Sequence, residues 1–122
     1  MFWTGHLPKF DEDQFEIKFD NSDQRKFLIP TAEVVLTNLV RKSTINKNDL
    51  PQRFVASTPC FRKEAGSYGK DTKGMIRQHK FYKVELVSIV EHNNCIKELD
   101  RMLSCAESIL EKLQIPYQVI LL

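Results

Sequence analysis

At 122 residues, 42% hydrophobic and 28% charged, the chain has the make-up of one ordinary globular domain, large enough to bury a core. A formal net charge of +2 is too small to argue for nucleic acid or a membrane surface by bulk electrostatics, and no apolar run approaches the ~20 residues of a membrane span. Cys60, Cys95 and Cys105 lie far apart with no Cys-x-x-Cys pair, so neither a disulfide framework nor a zinc site is indicated, and the pattern fits reduced thiols in a cytoplasmic protein. The N-terminus lacks a basic-then-apolar secretory pattern.

The elements can be taken in chain order. Phe2 to Phe10, with Thr4-Gly5 and Leu7-Pro8, is irregular. Asp11 to Asp20 alternates and predicts a strand with Phe15, Ile17 and Phe19 on one face, closed by a turn at Asn21-Ser22-Asp23. Lys26 to Ile29 predicts a short strand that stops at Pro30. Thr31 then suits a helix N-cap, with Glu33 in the first turn where the helix dipole favours an acid. Val35, Leu36, Leu39 and Val40 supply that helix with an apolar stripe.

Ser43 to Gln52 is a polar connection, and Arg53 to Glu64 is strand-like, with Pro59 requiring an edge or an irregularity. Met75–Phe81 and Lys83–Val90 give two further strand-like pieces. The last helix has the clearest pattern: Ile96, Leu99, Leu103, Ala106, Leu110 and Leu113 repeat at helical spacing, Asn93 or Asn94 can cap its start, and the stripe is expected to pack on the sheet. Beyond Pro116, Tyr117 to Leu122 predicts an apolar strand. The fold class is α+β, an antiparallel sheet flanked by helices, in one domain over 1–122.

Chemistry concentrates between Arg62 and Glu85. Seven Lys/Arg stand there against three acids, an excess of four that leaves the rest of the chain at −2. Three of the four glycines, Gly66, Gly69 and Gly74, fall in the connecting turn. Antiparallel arms could bring Arg62, Glu64, Arg77, Phe81 and Glu85 to one face, since even steps along an unbroken strand share a side. A guanidinium fork matches phosphate oxygens, and Phe81 offers a flat face to a base. The same alternation also fits cross-strand ion pairs on a solvated face, worth ~0–1 kcal/mol each. Thr31 and Glu33 could receive an ammonium and a hydroxyl, or could simply cap the helix. His79 could touch a nucleotide or make a structural hydrogen bond.

The order Pro30-Thr31-Ala32-Glu33, then Thr58-Pro59-Cys60-Phe61-Arg62-x-Glu64-Ala65-Gly66-Ser67, then Asp71-Thr72-x-Gly74-x-Ile76-Arg77-Gln78-His79-x-Phe81-x-Lys83-Val84-Glu85-Leu86 closely resembles seryl-tRNA synthetase. The stretches Thr4 to Phe10 and Glu111 to Leu122 are similar to that family as well. Class II synthetases for threonine and proline share the Thr-x-Glu site and the Arg-x-Glu hairpin, but the Arg77-to-Glu85 run favours serine.

The resemblance implies a partial class II catalytic core in which ATP activates serine to seryl-adenylate for transfer to tRNA(Ser). In it Arg62 holds the α-phosphate as the catalytic residue, with Arg77 beside that phosphate and the serine carboxylate. Glu64 meets the adenine amino group, Gln78 contacts adenine through its backbone, and Phe81 stacks on the ring. Thr31, Glu33 and Glu85 form the serine-binding set. Magnesium is expected with ATP, and no protein metal site is.

There are departures too. The helical tRNA-gripping arm, the dimer-forming first motif and the arginine-bearing third motif are not found in the sequence. Trp3 replaces a small residue, and Lys63 and Lys80 replace neutral ones. The implied chain has little or no activity alone. A non-catalytic ATP or serine module, half of a split enzyme or a degenerate remnant are the other readings. A homodimer or a complementing chain would be the protein partner, and another chain would have to supply the tRNA contact.

Overall fold

The computed structural model describes residues 1–18, 23–64 and 77–121. Phe19, the turn at Asn21-Ser22, the loop glycines Gly66, Gly69 and Gly74, the strand start at Met75-Ile76, and Leu122 lie outside the described residues. The chain divides into two compact units, Met1–Ile45 with Phe54–Val87, and Asn46–Arg53 with Ser88–Leu122.

In the first unit β1 (Glu16–Ile17) pairs antiparallel with β2 (Lys26–Phe27), Glu16 opposite Phe27 and Ile17 opposite Lys26. The ladder extends by one bond, Leu28 N–H to the Phe15 carbonyl at 2.9 Å. Arg25 fixes this hairpin: Nε and Nη2 grip the Glu16 carboxylate at 2.8 and 3.1 Å, and Nη2 reaches Asp11 at 3.0 Å. The strand expected over Asp11 to Asp20 is thus only two residues long, because ladder bonds begin at Phe15 and the Asp11-to-Gln14 backbone is taken up in turns.

Helix α1 (Glu33–Asn38) is short for a local reason. Thr37 Oγ1 and Asn38 Nδ2 donate to the carbonyls of Glu33 and Val34, four residues back, in competition with the helical ladder. Its buried side chains are Val34 and Leu36, joined by Ala32, whereas Val35 and Leu39 are exposed, which corrects the expected stripe. A helix of this length has little room for a full heptad face, and Val34 instead joins Leu7, Phe27 and Ile29 around an apolar cleft.

The long strands β3 (Gln52–Phe61) and β4 (Lys80–Ile89) pair antiparallel in a two-stranded sheet. β4 unites the two pieces read separately in the sequence, and it starts at Lys80. Their alternation is plain: Phe81, Lys83, Glu85 and Val87 turn inward while Tyr82 and Val84 are exposed. On β3 the inward set is Phe54, Ala56, Thr58 and the fully buried Cys60. Pro59 is tolerated because each strand of a two-stranded sheet has an open edge that asks for no N–H.

The second unit holds the ends of β3 and β4, a 3-10 turn at Lys47–Asp49, another at His92–Asn94, and α2 (Cys95–Lys112). Asn94 occupies the N-cap position of α2, but its side chain makes no cap bond; Asn46 caps its own turn by accepting from Asn48 N–H at 3.0 Å. The helix stands where its periodicity puts it, but its apolar stripe does not pack on the sheet. Ile96, Leu99 and Leu113 are more than half exposed, and the buried helix residue is Glu98.

Charge pairing dictates that orientation. Glu98 accepts from Arg53 Nε and Nη2 at 2.8 and 2.9 Å, from Arg101 Nη2 at 2.7 Å and from Ser88 Oγ at 2.8 Å. Residues Tyr117 to Leu121 form no strand and stay exposed, because among the described residues no strand lies alongside to complete their ladder.

The hydrogen bonds from Arg53 and Arg101 outweigh burial and hold the Glu98 carboxyl far below the usual carboxylate range. A depressed folded value means its contribution to stability is complete above the ordinary carboxylate pKa and is lost as pH falls towards the folded one. Thermal unfolding followed by circular dichroism at stepped pH should therefore show a steep acid limb. In Glu98→Gln that limb flattens, and Tm at neutral pH drops by a few degrees as Arg53 and Arg101 lose their counter-charge.

Candidate functional site

The first unit gathers most of the expected site residues along one seam. Phe61 N–H donates to the Ile29 carbonyl at 2.9 Å, which lays the Ile29-Pro30-Thr31 segment beside the end of β3. Pro30 has no N–H to give, but its carbonyl accepts Arg62 Nε at 3.2 Å. On the other side Arg62 N–H donates to the His79 carbonyl at 3.0 Å, and His79 Nδ1 donates to the Arg62 carbonyl at 3.2 Å. Arg62 is thereby fixed at backbone and side chain, and His79, packed edge-on to Phe15 at 5.9 Å, makes the structural hydrogen bond weighed in the sequence.

The guanidinium of Arg62 lies over the Phe81 ring, 5.2 Å from its centroid. Three inward positions of β4 follow: Phe81, Lys83 and Glu85. Thr31, buried just ahead of α1, donates through Oγ1 to Glu85 Oε2, and it accepts from Glu33 N–H at 3.3 Å. Lys83 Nζ donates to Thr31 Oγ1 at 3.1 Å and pairs with Glu85 Oε2. Burial pushes the Glu85 carboxyl up, but hydrogen bonds from Lys83 and Thr31 together with the charges of Lys83 and Arg62 prevail and hold it below the usual range. Hydroxyl and carboxylate already grip an ammonium.

Arg77 does not share a strand face with Phe81 and Glu85, because the regular alternation starts only at Lys80. It instead pairs its Nη1 with Glu64 Oε2 at 2.8 Å, from an exposed bend. Glu64 itself has a left-handed backbone, φ 56°. Gln78 is exposed between that bend and β4, and Glu33 stands half-buried at the start of α1. The structure thus brings together Arg62 with Phe81, Glu64 with Arg77, and Thr31 with Glu85. Lys63 points elsewhere, its N–H bonded to the Asp13 carbonyl at 2.9 Å and its ammonium 5.9 Å from the Phe15 ring centre.

Two features escaped the reading of the sequence. Lys83 is one; its odd-number parity with Phe81 and Glu85 was the available signal. The other is a cleft of about 280 Å³ lined by His6, Phe10, Asp13, Gln14, Pro30, Arg62 and Glu64. Phe81 is not among its lining residues, so Arg62 borders both the Phe81 ring and this cleft. Nothing in the acidic run Asp11 to Glu16 marks Gln14, which is 2% exposed, as anything but a solvated side chain.

The chain is similar to known proteins along most of its length. The family described as the tRNA synthetase class II core domain (G, H, P, S and T) matches residues 14–122. The serine–tRNA ligase of Pelagibacter ubique is 69% identical over all 122 residues of this chain, which cover 29% of that protein. The serine–tRNA ligase of Methylocella silvestris is 52% identical, again with the whole chain covered and 30% of that protein. Among solved structures, seryl-tRNA synthetase from Pyrococcus horikoshii complexed with ATP superposes on 90% of the chain with a TM-score of 0.78 at 37% identity, over 24% of its own length. The cytoplasmic serine–tRNA ligase of Naegleria fowleri in complex with AMP gives a TM-score of 0.81 at 31% identity, over 91% of this chain and 26% of its own. The chain spans less than a third of the length of these relatives, and over the segment it does span it belongs to the class II tRNA synthetase core family, its matched kin being serine–tRNA ligases.

Proposed function

We propose that this chain carries the activation site of a serine–tRNA ligase, in which the serine carboxylate attacks the α-phosphorus of ATP. An oxygen–phosphorus bond forms, the bond to the β-phosphate breaks, and pyrophosphate leaves with its electron pair. The observation that carries the reading is the Thr31–Glu85 pair, a hydroxyl and an ionised carboxylate closed on an ammonium, beside the fixed guanidinium of Arg62. In this reading the serine ammonium and hydroxyl take over the contacts now made by Lys83, with Glu33 at the helix start adding a second carboxylate.

Arg62 takes the α-phosphate and disperses the charge that builds as the carboxylate attacks, through a donor already aimed rather than recruited. Phe81 stacks on adenine, Glu64 accepts from its amino group, and the backbone of Gln78 meets the ring edge. Arg77 sits beside the α-phosphate and the serine carboxylate. Magnesium comes with the nucleotide, held by phosphate oxygens and water. Among the described residues no three His, Cys, Asp or Glu side chains gather to cage it, and small divalent ions carried on phosphates need no such cage.

This reading is of a cytoplasmic protein. tRNA(Ser) is the second substrate in this reading. A second reading, a half-enzyme completed by a further copy or a complementing chain, is favoured by the exposed apolar stripe of α2. No helix of the described residues is long and apolar enough to cross a membrane.

Serine-dependent ATP–pyrophosphate exchange on the purified chain separates the two. Exchange above a serine-free control supports activation by this site alone. ATP binding without exchange supports the half-enzyme. Failure to bind either substrate from a folded sample rejects both.

Arg62→Ala should weaken ATP by at least about tenfold, as expected when a hydrogen bond to a charged group is lost. Unchanged ATP affinity, measured by calorimetry, would remove Arg62 from the phosphate site. Glu85→Gln should weaken serine by a similar factor and leave ATP alone. Since the folded Glu85 value is depressed, the carboxylate stays ionised through the ordinary carboxylate range. Serine affinity is then flat from neutral pH through the ordinary carboxylate range and falls only below it. A titration of serine affinity that breaks within or above that range contradicts the assignment.

A further inference from the structure

We infer that Lys83 is a displaceable ammonium of the activation site: the ammonium of serine drives it off the Thr31–Glu85 pair, and it then lodges between the serine carboxylate and the α-phosphate. The inference rests on the activation reading above and adds to it a residue that couples the two substrates.

Hydrogen-bonding capacity sets the first step. A hydroxyl has one hydrogen to give and two lone pairs to accept with. Thr31 Oγ1 gives its hydrogen to Glu85 Oε2 and accepts from the Glu33 N–H at 3.3 Å and from Lys83 Nζ at 3.1 Å, so it is full. Glu85 Oε2 already takes both Thr31 and Lys83. No other ammonium can hold Thr31 and Glu85 Oε2 together until Lys83 leaves. Of the three side chains Lys83 is the one able to leave. It is 34% exposed against 17% for Glu85, Thr31 is buried, and the lysine charge rides on a flexible four-carbon stem. The exchange replaces one ammonium by another, and Glu85 is never left without a cation.

Register on β4 sets the second step. Phe81, Lys83 and Glu85 share the inward face, about 7 Å per two-residue step. In the activation reading Phe81 lies against adenine and Glu85 against the serine ammonium. The serine carboxylate and the α-phosphate therefore meet between them, over Lys83. Two anions must approach to bonding distance at that point. Arg62 reaches it from the Phe81 side, its guanidinium 5.2 Å from the ring centre. A released Lys83 ammonium reaches it from the strand beneath, and a second cation there lowers the repulsion between the two anions. Lys80, the other cation of β4, has the opposite parity and lies by the Tyr82 ring. Serine thus frees a cation for the nucleotide, and by reciprocity a bound nucleotide tightens serine.

The test is a pair of calorimetric titrations on the purified chain, serine alone and serine with saturating α,β-methylene-ATP, whose α–β bridge cannot be cleaved. In the wild type the analogue should tighten serine by at least about fivefold. Lys83→Met keeps most of the stem and removes the charge. In it serine alone should bind about threefold tighter or more, because the internal competitor is gone. The coupling should fall to about twofold or less, and affinity for the analogue alone should stay within about threefold. Lys83→Arg, which keeps a cation, should keep the coupling. Serine weakened by Lys83→Met would make Lys83 a fixed prop of the pair and overturn the displacement. Coupling absent from the wild type, or equal in the wild type and Lys83→Met, would overturn the transfer to the phosphate. Both results leave activation standing. A folded wild-type chain that binds no serine, with or without the analogue, would instead defeat the activation reading beneath.

Discussion

The paired hydrogen bonds between Arg62 and His79 are the constraint on which the site depends. They end the β3–β4 ladder and leave the Arg62 side chain at the exit from the sheet, where its Nε is caught by the Pro30 carbonyl. A proline at that point is physically apt. Its ring removes the N–H that would otherwise ask for a ladder partner and leaves a carbonyl with lone pairs to spare. The same seam delivers Thr31, one residue on, against Glu85 four residues beyond Phe81. Sheet parity, a proline carbonyl and one imidazole thus locate a guanidinium, an aromatic face and a hydroxyl–carboxylate pair within a single unit.

Each of these polar groups is occupied by a neighbour. Arg62 lies on Phe81, Arg77 holds Glu64, and Lys83 fills the Thr31–Glu85 pair. Such contacts at partly exposed positions are worth little, ~0–1 kcal/mol for an ion pair, so a charged ligand with better geometry displaces them at small cost. What they do provide is orientation. Lys83 keeps Glu85 ionised and aimed at Thr31, and an ammonium-bearing ligand meets two acceptors already converged. This is cheaper than ordering them at the moment of binding.

How much of this was legible in the sequence depends on which periodicity carried it. Strand parity named Phe81 and Glu85 on one face correctly and would have named Lys83 too. It failed for Arg77 because alternation holds only where a ladder exists, and the ladder stops at Lys80. Thr31 and Glu33 looked like cap residues, and Thr31 does accept the Glu33 N–H, yet its stronger partner is Glu85, fifty-four positions away. No local pattern encodes that. Gln14 was invisible for the same reason, since burial of a polar side chain in an acidic stretch is decided by what packs over it. The short strand pair and the abbreviated α1 were overestimated because hydrophobic alternation reports which residues can line a face. How many ladder bonds will find partners is a separate matter.

Helix α2 shows that distinction most sharply. Its apolar stripe was the clearest signal in the sequence and specified the helix over nearly its observed length. Periodicity, however, fixes only which side of a helix is apolar. The side that faces the ends of β3 and β4 is set by Glu98, which collects two guanidinium groups and a serine hydroxyl. Turning the helix to bury Leu99 and Leu103 would break those charged bonds to Glu98. An apolar surface of this kind, on a chain that matches less than a third of its relatives' length, is one that further polypeptide can cover without disturbing the Glu98 network beneath it.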